Sequence, residues 1–141
     1  MSWMMLALRR YLDFKGRSRR REYWMFMVLC LIVIASAGIV MIAVAGSFQT
    51  QDQMATRFTI WAGFAILPLM IPLITVTIRR LHDLGLSGWW FLAVVIGAAI
   101  PMIDTIVALV HIIVMALPGR KGANRFGENP KETAGSMRLT T

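Results

Sequence analysis

Residues 23–46 form a run of 24 positions without a charged side chain. Such a run is long enough to cross a hydrocarbon core of about 30 Å as a tilted helix. Tyr23 and Trp24 open it and are predicted to anchor it at the membrane interface. The chain is 57% hydrophobic, and the surplus lies in long runs of this kind. The sequence therefore predicts an all-α, polytopic membrane helical bundle rather than a soluble domain.

A second apolar run covers residues 58–78, after a short polar connection at 47–57. It contains Pro68 and Pro72, one helical turn apart. Each proline lacks a backbone N–H, so the carbonyl four residues before it loses its helical partner. We expect a neighbouring helix or water to supply the missing donor.

The third apolar run, residues 89–117, has 29 positions and is interrupted by Pro101. It is too long for one comfortable span and too short for two full spans of about 20 residues each. One alternative is a single tilted, kinked helix. The other is a hairpin of two short helices, 89–103 and 104–117, which gives about four membrane helices in total. The five Lys/Arg residues of the tail that follows favour the hairpin, because it returns them to the side of the other basic segments.

Basic residues set the predicted orientation. Residues 1–22 hold seven Lys/Arg and two Asp/Glu, and residues 2–14 are predicted to form an amphipathic helix lying in the interface. The positive-inside rule places the N-terminus and 79–88 in the cytoplasm and 47–57 outside. We expect one integral-membrane domain over 1–130 and a disordered tail at 131–141.

The composition also excludes several classes of function. The net charge of +8 lies next to apolar runs, which fits anionic lipid head groups better than nucleic acid. Cys30 is the single cysteine and lies in an apolar run, so neither an intrachain disulfide nor a cysteine metal cluster can form. With two well-separated histidines, a metal site is not expected, and no cofactor is predicted.

Four blocks of sequence resemble a known family. They are YLDFKGRSRRREYW at 11–24, RRLHD at 79–83, SGWW at 87–90, and PG followed by NRFG at 118–127. Together, in this order, they resemble the bacterial inner-membrane family called domain of unknown function 805. The resemblance implies a small polytopic inner-membrane protein and no particular activity. Asp104 departs from the family pattern, so no role is transferred to it.

The candidate binding site is a basic cytoplasmic face. Guanidinium groups bind phosphate in a bidentate manner, so we expect this face to bind anionic lipid or a protein partner, with a second copy of the chain left open. Its candidate residues are Arg17, Arg19, Arg20, Arg21, Arg79, Arg80, His82, Asp83, Asn124 and Arg125. Within it, Arg79 and Asp83 are four residues apart and could pair on one helix face, or Asp83 could hold other arginines of the face.

Two alternatives concern chemistry. Asp104 and His111 lie in or near hydrocarbon. If one helix carries both, they are two turns apart, which suits a polar site in a small transporter or channel. In a hairpin, Asp104 could instead cap the second helix. An enzyme would use His82 as general acid or base beside Arg79 or Arg80, but no nucleophile motif or second carboxylate accompanies them. The sequence therefore favours a non-enzymatic protein.

Overall fold

The computed structural model of the chain describes residues 3–44 and 50–130. Its five helices are α1 (Trp3–Arg9), α2 (Arg20–Ala43), α3 (Gln51–Asp83), α4 (Trp89–Ala98) and α5 (Asp104–Ala116). The described residues contain no strand, so the all-α prediction is confirmed. The predicted disorder at 131–141 lies outside the described residues.

Helices α2 and α3 pack along each other and are both long and apolar enough to cross a membrane. At the end of the pair where α2 ends and α3 begins, large apolar side chains are exposed; Ile39, Trp61 and Phe64 each expose more than 60% of their surface. The buried core lies at the opposite end, where Phe26 and Val76 are fully buried. This division is typical of a bundle whose outer surface faces lipid, because lipid removes the need to bury apolar side chains in the protein.

The polar connection predicted at 47–57 is wrong for its second half. Residues 51–57 are the first two turns of α3. The Thr50 side chain accepts a hydrogen bond from the Gln53 backbone N–H at 3.3 Å, and Asp52 lies in the first turn. Both features stabilise a helix N-terminus, so the cap outweighs the polar composition. Residues 45–49 lie outside the described residues.

The proline prediction is confirmed at one of its two carbonyls. Pro72 leaves the Pro68 carbonyl without its helical donor, and the Tyr11 hydroxyl donates a hydrogen bond to that oxygen at 2.7 Å. The donor comes from the segment after α1. This helix is shorter than the predicted 2–14, ending at Arg9, and it packs against α2 and α3 through the fully buried Ala7.

The predicted cytoplasmic loop at 79–88 is also shorter than expected, because its first five residues belong to α3. The helix ends in a Schellman motif: Gly85 adopts a φ of 78°, its N–H donates to the His82 carbonyl at 3.0 Å, and the Leu86 N–H donates to the Leu81 carbonyl at 2.9 Å. The positive φ favours glycine, which is why the helix stops here. The turn then leads directly into α4.

Helices α4 and α5 form the predicted hairpin rather than one kinked helix. The chain breaks between them at 99–103, where Pro101 lies and Met102 adopts a φ of 82°. The two helices touch closely, since a Cβ on Gly97 would lie 2.8 Å from Val107 Cγ2. With 10 and 13 residues, each is shorter than the roughly 20 residues of a full membrane span.

Candidate functional site

Charged side chains from distant parts of the chain meet at one end of the bundle, which we call the charged end. Three arginines and two carboxylates are buried there, each less than 9% exposed, and they carry a net charge of one positive unit. They are Arg17, Glu22, Arg79, Arg80 and Asp83. Buried charges are tolerated only when they are paired and hydrogen-bonded, so the contacts among them define this end of the fold.

Asp83 is the centre of the cluster. One carboxylate oxygen accepts from Arg17 at 2.9 Å, and the other accepts from Arg80. Its backbone carbonyl accepts from the Arg120 N–H at 3.0 Å. Gly119 lies so close that an added Cβ would overlap the carboxylate, with Asp83 Cγ at 2.5 Å. Asp83 therefore holds two other arginines of this face, Arg17 and Arg80, as one of the two predicted alternatives has it.

The alternative pairing of Arg79 with Asp83 is wrong. Arg79 Nη2 lies 2.9 Å from Glu22 Oε1 on α2, because Arg17 and Arg80 occupy the Asp83 carboxylate. Arg79 Nε also donates to the Thr75 carbonyl at 3.4 Å. Although Glu22 and Arg79 lie within ion-pair distance, their geometry is too poor for a hydrogen bond, and Arg79 Nη1 has no hydrogen-bond partner among the described residues.

Arginine side chains also cap the C-terminus of α5. Arg80 donates to the Met115 carbonyl at 3.3 Å and to the Leu117 carbonyl, while Arg20 donates to the Ala116 carbonyl at 3.2 Å. The last carbonyls of a helix lack intrahelical donors and carry partial negative charge, so two guanidinium groups stabilise this end. Leu117 leaves the helix because the following proline disfavours the helical region for it.

The segment after α5 is tied to the cluster through Arg17. Its Nη2 donates to the Arg120 carbonyl at 2.5 Å, and its Nη1 donates to the Gly122 carbonyl at 2.6 Å. Arg19 donates to the Pro130 carbonyl from the same stretch of chain. The tail up to Pro130 therefore lies at the same end of the bundle as the N-terminal basic block. The arrangement matches the hairpin prediction and excludes a tail at the opposite end.

His82 lies at the edge of the cluster and is engaged on several sides. Its ring stacks on Phe126, with centroids 3.9 Å apart and planes 6° apart, and its Nδ1 lies 3.2 Å from the Gly16 carbonyl. The Asn124 side chain donates to the His82 carbonyl at 2.9 Å, and Arg125 lies 4.6 Å above the Phe126 ring. The contacts of Phe126 and Asn124 thus hold His82 in a structural position.

The remaining predicted residues lie outside the buried cluster. Arg20 and Arg21 are exposed on the first turn of α2. Asp104 is exposed at the start of α5, where Ile103 is the N-cap and no side chain caps the helix, so the capping role is wrong. His111 is half-buried two turns later, and its Nε2 lies 3.2 Å from the Tyr23 hydroxyl.

The segment between α1 and the cluster is held by a local ion pair. Arg10 lies 2.6 Å from Asp13, whose carboxylate also accepts from the Lys15 N–H at 3.1 Å. Burial on its own would raise the pKa of Asp13, but the hydrogen bond and charge of Arg10, together with the Lys15 N–H, lower the pKa below its usual value. The pair keeps the chain turned toward Gly16.

Sequence reasoning missed several residues of the site. Glu22 is not among the predicted site residues. Tyr23 is predicted to be an interface anchor, but it is 4% exposed and its hydroxyl lies 3.2 Å from His111 Nε2. Gly119 lies in the last family block but is not among the predicted site residues. The signal that could have found Glu22 is its position as a lone carboxylate after four arginines, directly before a membrane run.

Comparison with known proteins identifies the family. A family model described as "Protein of unknown function (DUF805)" matches residues 11–128. The chain belongs to this family. Three of the four sequence blocks that suggested it, 11–24, 79–83 and 118–127, converge on the charged end, since Arg17, Asp83, Gly119 and Asn124 all take part in its contacts.

The relatives place the family in a membrane. Inner membrane protein YhaI of Escherichia coli (strain K12) is 32% identical over 93% of this chain and 97% of its own length. Inner membrane protein YhaH of the same strain is 33% identical over 93% of this chain and 98% of its own length. No solved structure matches the chain. With its two long apolar helices, the chain is an inner-membrane protein.

Proposed function

We propose that the protein binds the head groups of anionic phospholipids at the charged end of its bundle, without catalysing a reaction, and that this end faces the cytoplasm. The observation that carries the proposal is a set of exposed basic side chains around the buried cluster, which we call the basic rim. It consists of Lys15, Arg20, Arg21, Arg120, Lys121 and Arg125. Each basic residue near an anionic membrane surface contributes about 1 kcal/mol of attraction.

The buried cluster supports the rim as a rigid frame. Arg79 and Arg80 have no exposed surface, and Arg17 has 5%, so direct contact with lipid falls to their exposed neighbours. Arg17 fixes the backbone that carries Arg120 and Lys121 through its bonds to the carbonyls of the tail. A fixed arrangement loses less side-chain and loop entropy on binding than a flexible basic tail does.

A cavity beside the rim, lined by both polar and apolar residues, offers room for a phosphate group. It has a volume of about 350 Å³, and Arg19, Lys121 and Asn129 lie on its wall. The Asp83 carboxylate also lines it, but that carboxylate is paired with Arg17 and Arg80. The cavity therefore presents a positive balance of charge to an anion.

The charge distribution supports the orientation. In the described residues, the Asp, Glu, Lys and Arg side chains away from the charged end are Asp52 and Arg57 at the start of α3 and Asp104 on α5. The basic excess is thus confined to one end, as the positive-inside rule requires of the cytoplasmic side.

Transport draws less support from the geometry. A polar pathway would need Asp104 and His111 to act on the same solute, but Asp104 is exposed at the start of α5 and His111 bonds the Tyr23 hydroxyl. An enzymatic role for His82 draws little support either, because Phe126 covers one face of its ring.

The test compares lipid retention by native mass spectrometry of protein purified in detergent with phosphatidylglycerol or phosphatidylcholine. A triple variant, Arg21→Gln, Lys121→Gln and Arg125→Gln, removes three rim charges. Retention of phosphatidylglycerol should fall by about ten- to a hundred-fold, since three charges near the surface contribute up to about 3 kcal/mol and about 1.4 kcal/mol corresponds to ten-fold. Phosphatidylcholine retention should not change.

The matched control keeps the charge at the same positions with Arg21→Lys, Lys121→Arg and Arg125→Lys. It should retain phosphatidylglycerol as the native chain does. Equal retention by the neutral triple variant, with unchanged thermal unfolding, would overturn the proposal.

A further inference from the structure

We propose that an apolar groove between the end of α3 and the α4–α5 hairpin holds one acyl chain of an anionic phospholipid. The inference rests on the proposed function, because the head group of the same lipid would lie on the basic rim. It adds to that function a site inside the membrane and a requirement for a long acyl chain.

The groove has a volume of about 370 Å³ and is lined almost entirely by apolar side chains. Leu81 and Leu86 form the part nearest the charged end, and Trp90 and Val110 form its walls on α4 and α5. Trp90 and Val110 are each more than 50% exposed, so the groove is open toward the surrounding lipid. An acyl chain can enter such a groove sideways from the bilayer, whereas a polar solute would gain no hydrogen bonds there.

One polar side chain, His111, lines the groove. Its Nε2 lies 3.2 Å from the Tyr23 hydroxyl of α2. Because this nitrogen already has a partner, His111 presents mainly ring surface to the groove. The chemistry of the lining thus selects hydrocarbon.

The mouth of the groove at the charged end carries positive charge. Arg20 reaches the Ala116 carbonyl, half a turn beyond the lining residue Val114. Arg120 lies over the turn that carries Leu86, since a Cβ on Gly85 would lie 2.8 Å from Arg120 Nε. Two exposed guanidinium groups therefore lie where the apolar groove ends. This arrangement is complementary to an amphiphile with an anionic head group.

The groove has the length of part of an acyl chain. From Val114 to Ile106 it follows eight residues of α5, about 12 Å at about 1.5 Å per residue. At the far end the close contact between Gly97 and Val107 brings the two helices together and limits the groove. A chain much shorter than this would leave part of the groove to detergent or other lipids.

The experiment uses native mass spectrometry on the full chain with a matched pair of variants on α5. Val110→Trp fills the groove, and Leu109→Trp places the same side chain on a neighbouring position of similar exposure that does not line it. The probe is phosphatidylglycerol with two 18-carbon chains. Val110→Trp should retain at least about ten-fold less of it, because displacing two or more buried methylene groups costs about 0.8 kcal/mol each. Leu109→Trp should retain it as the native chain does.

A second measurement needs no substitution. The native chain should retain long-chain phosphatidylglycerol at least about ten-fold better than the six-carbon form with the same head group. Equal retention of both forms would overturn the acyl-chain site in the groove, and so would equal retention by Val110→Trp and Leu109→Trp. If the rim variants still lose lipid in that case, the proposal for the basic rim stands. Loss of all dependence on the rim charges would overturn both proposals. A fatty acid retained as well as the phospholipid would overturn the assignment to a phospholipid.

Discussion

The ion pair between Glu22 and Arg79 shows how single residues constrain this fold. Glu22 is 3% exposed and Arg79 is 0% exposed, and their ion pair joins α2 to α3 within the buried cluster. A buried pair contributes little net stability compared with apolar residues, but removing one partner leaves an uncompensated charge. The two positions should therefore be strongly coupled.

We expect Glu22→Gln and Arg79→Met each to lower the free energy of unfolding by about 3–5 kcal/mol, because each strands a buried charge. The double variant should lose much less than the sum of the two. Thermal unfolding in detergent of the four proteins measures the coupling. Arg21→Met, at an exposed arginine, is the control and should change stability by less than about 0.5 kcal/mol. Additive losses would contradict the pairing.

The hydrogen bond from Tyr11 to the Pro68 carbonyl gives a second coupled pair. Tyr11→Phe should lower the free energy of unfolding by about 1–3 kcal/mol, because it leaves a carbonyl without a donor. In a Pro72→Ala background, the new backbone N–H at residue 72 can donate to that carbonyl, so Tyr11→Phe should cost less. A double-mutant cycle by thermal unfolding tests this. An equal cost in both backgrounds would show that the hydroxyl stabilises the protein in another way.

These residues also mark the limit of prediction from the sequence. Proline chemistry is local, so the orphan carbonyl at Pro68 was predictable, but the donor lies 57 residues away and no spacing rule reaches it. In the same way, the need of Asp83 for arginine partners followed from its charge. The choice of Arg17 over Arg79 depended on which helix faces which, and only packing decides that.

At the scale of elements, the α4–α5 hairpin depends on contacts at both of its ends. Its base is fixed by Arg20 and Arg80, which bond the last carbonyls of α5. Near its tip the helices approach closely at Gly97, opposite Val107. The hairpin was predictable because the length of the apolar run and Pro101 are sequence properties. The groove along it was not, since it depends on how far apart the helices lie.

We expect Gly97→Ala to lower the free energy of unfolding by about 1–3 kcal/mol, because the new Cβ would lie 2.8 Å from Val107 Cγ2 and overpack the hairpin. Val107→Ala removes the obstructing methyl groups, so the double variant should recover part of the loss. Thermal unfolding measures both. Gly63→Ala, where nothing lies within 4 Å of an added Cβ, is the matched control and should not destabilise the protein. No recovery in the double variant would show that the helices do not meet at this point.

At the scale of the whole molecule, charge and helix length are arranged along one axis. One end of the bundle holds the basic rim, the buried cluster and the tail through Pro130. Asp52 and Arg57 lie at the start of α3, a helix of 33 residues that ends in the cluster. Such a helix extends about 50 Å at about 1.5 Å per residue, longer than a hydrocarbon core of about 30 Å. We therefore predict that the two ends of α3 lie on opposite sides of the membrane.

This arrangement predicts the accessibility of single cysteines to a membrane-impermeant maleimide in intact bacteria. In a Cys30→Ser background, Asp52→Cys should be labelled in intact cells, because the start of α3 carries no basic excess and is predicted to lie outside. Lys15→Cys and Lys121→Cys should be labelled only after lysis, since both belong to the basic rim. If Lys121→Cys were labelled in intact cells while Lys15→Cys stayed protected, the segment holding α4 and α5 would cross the membrane. The carbonyls of the tail could then not accept the hydrogen bonds that Arg17 donates to them.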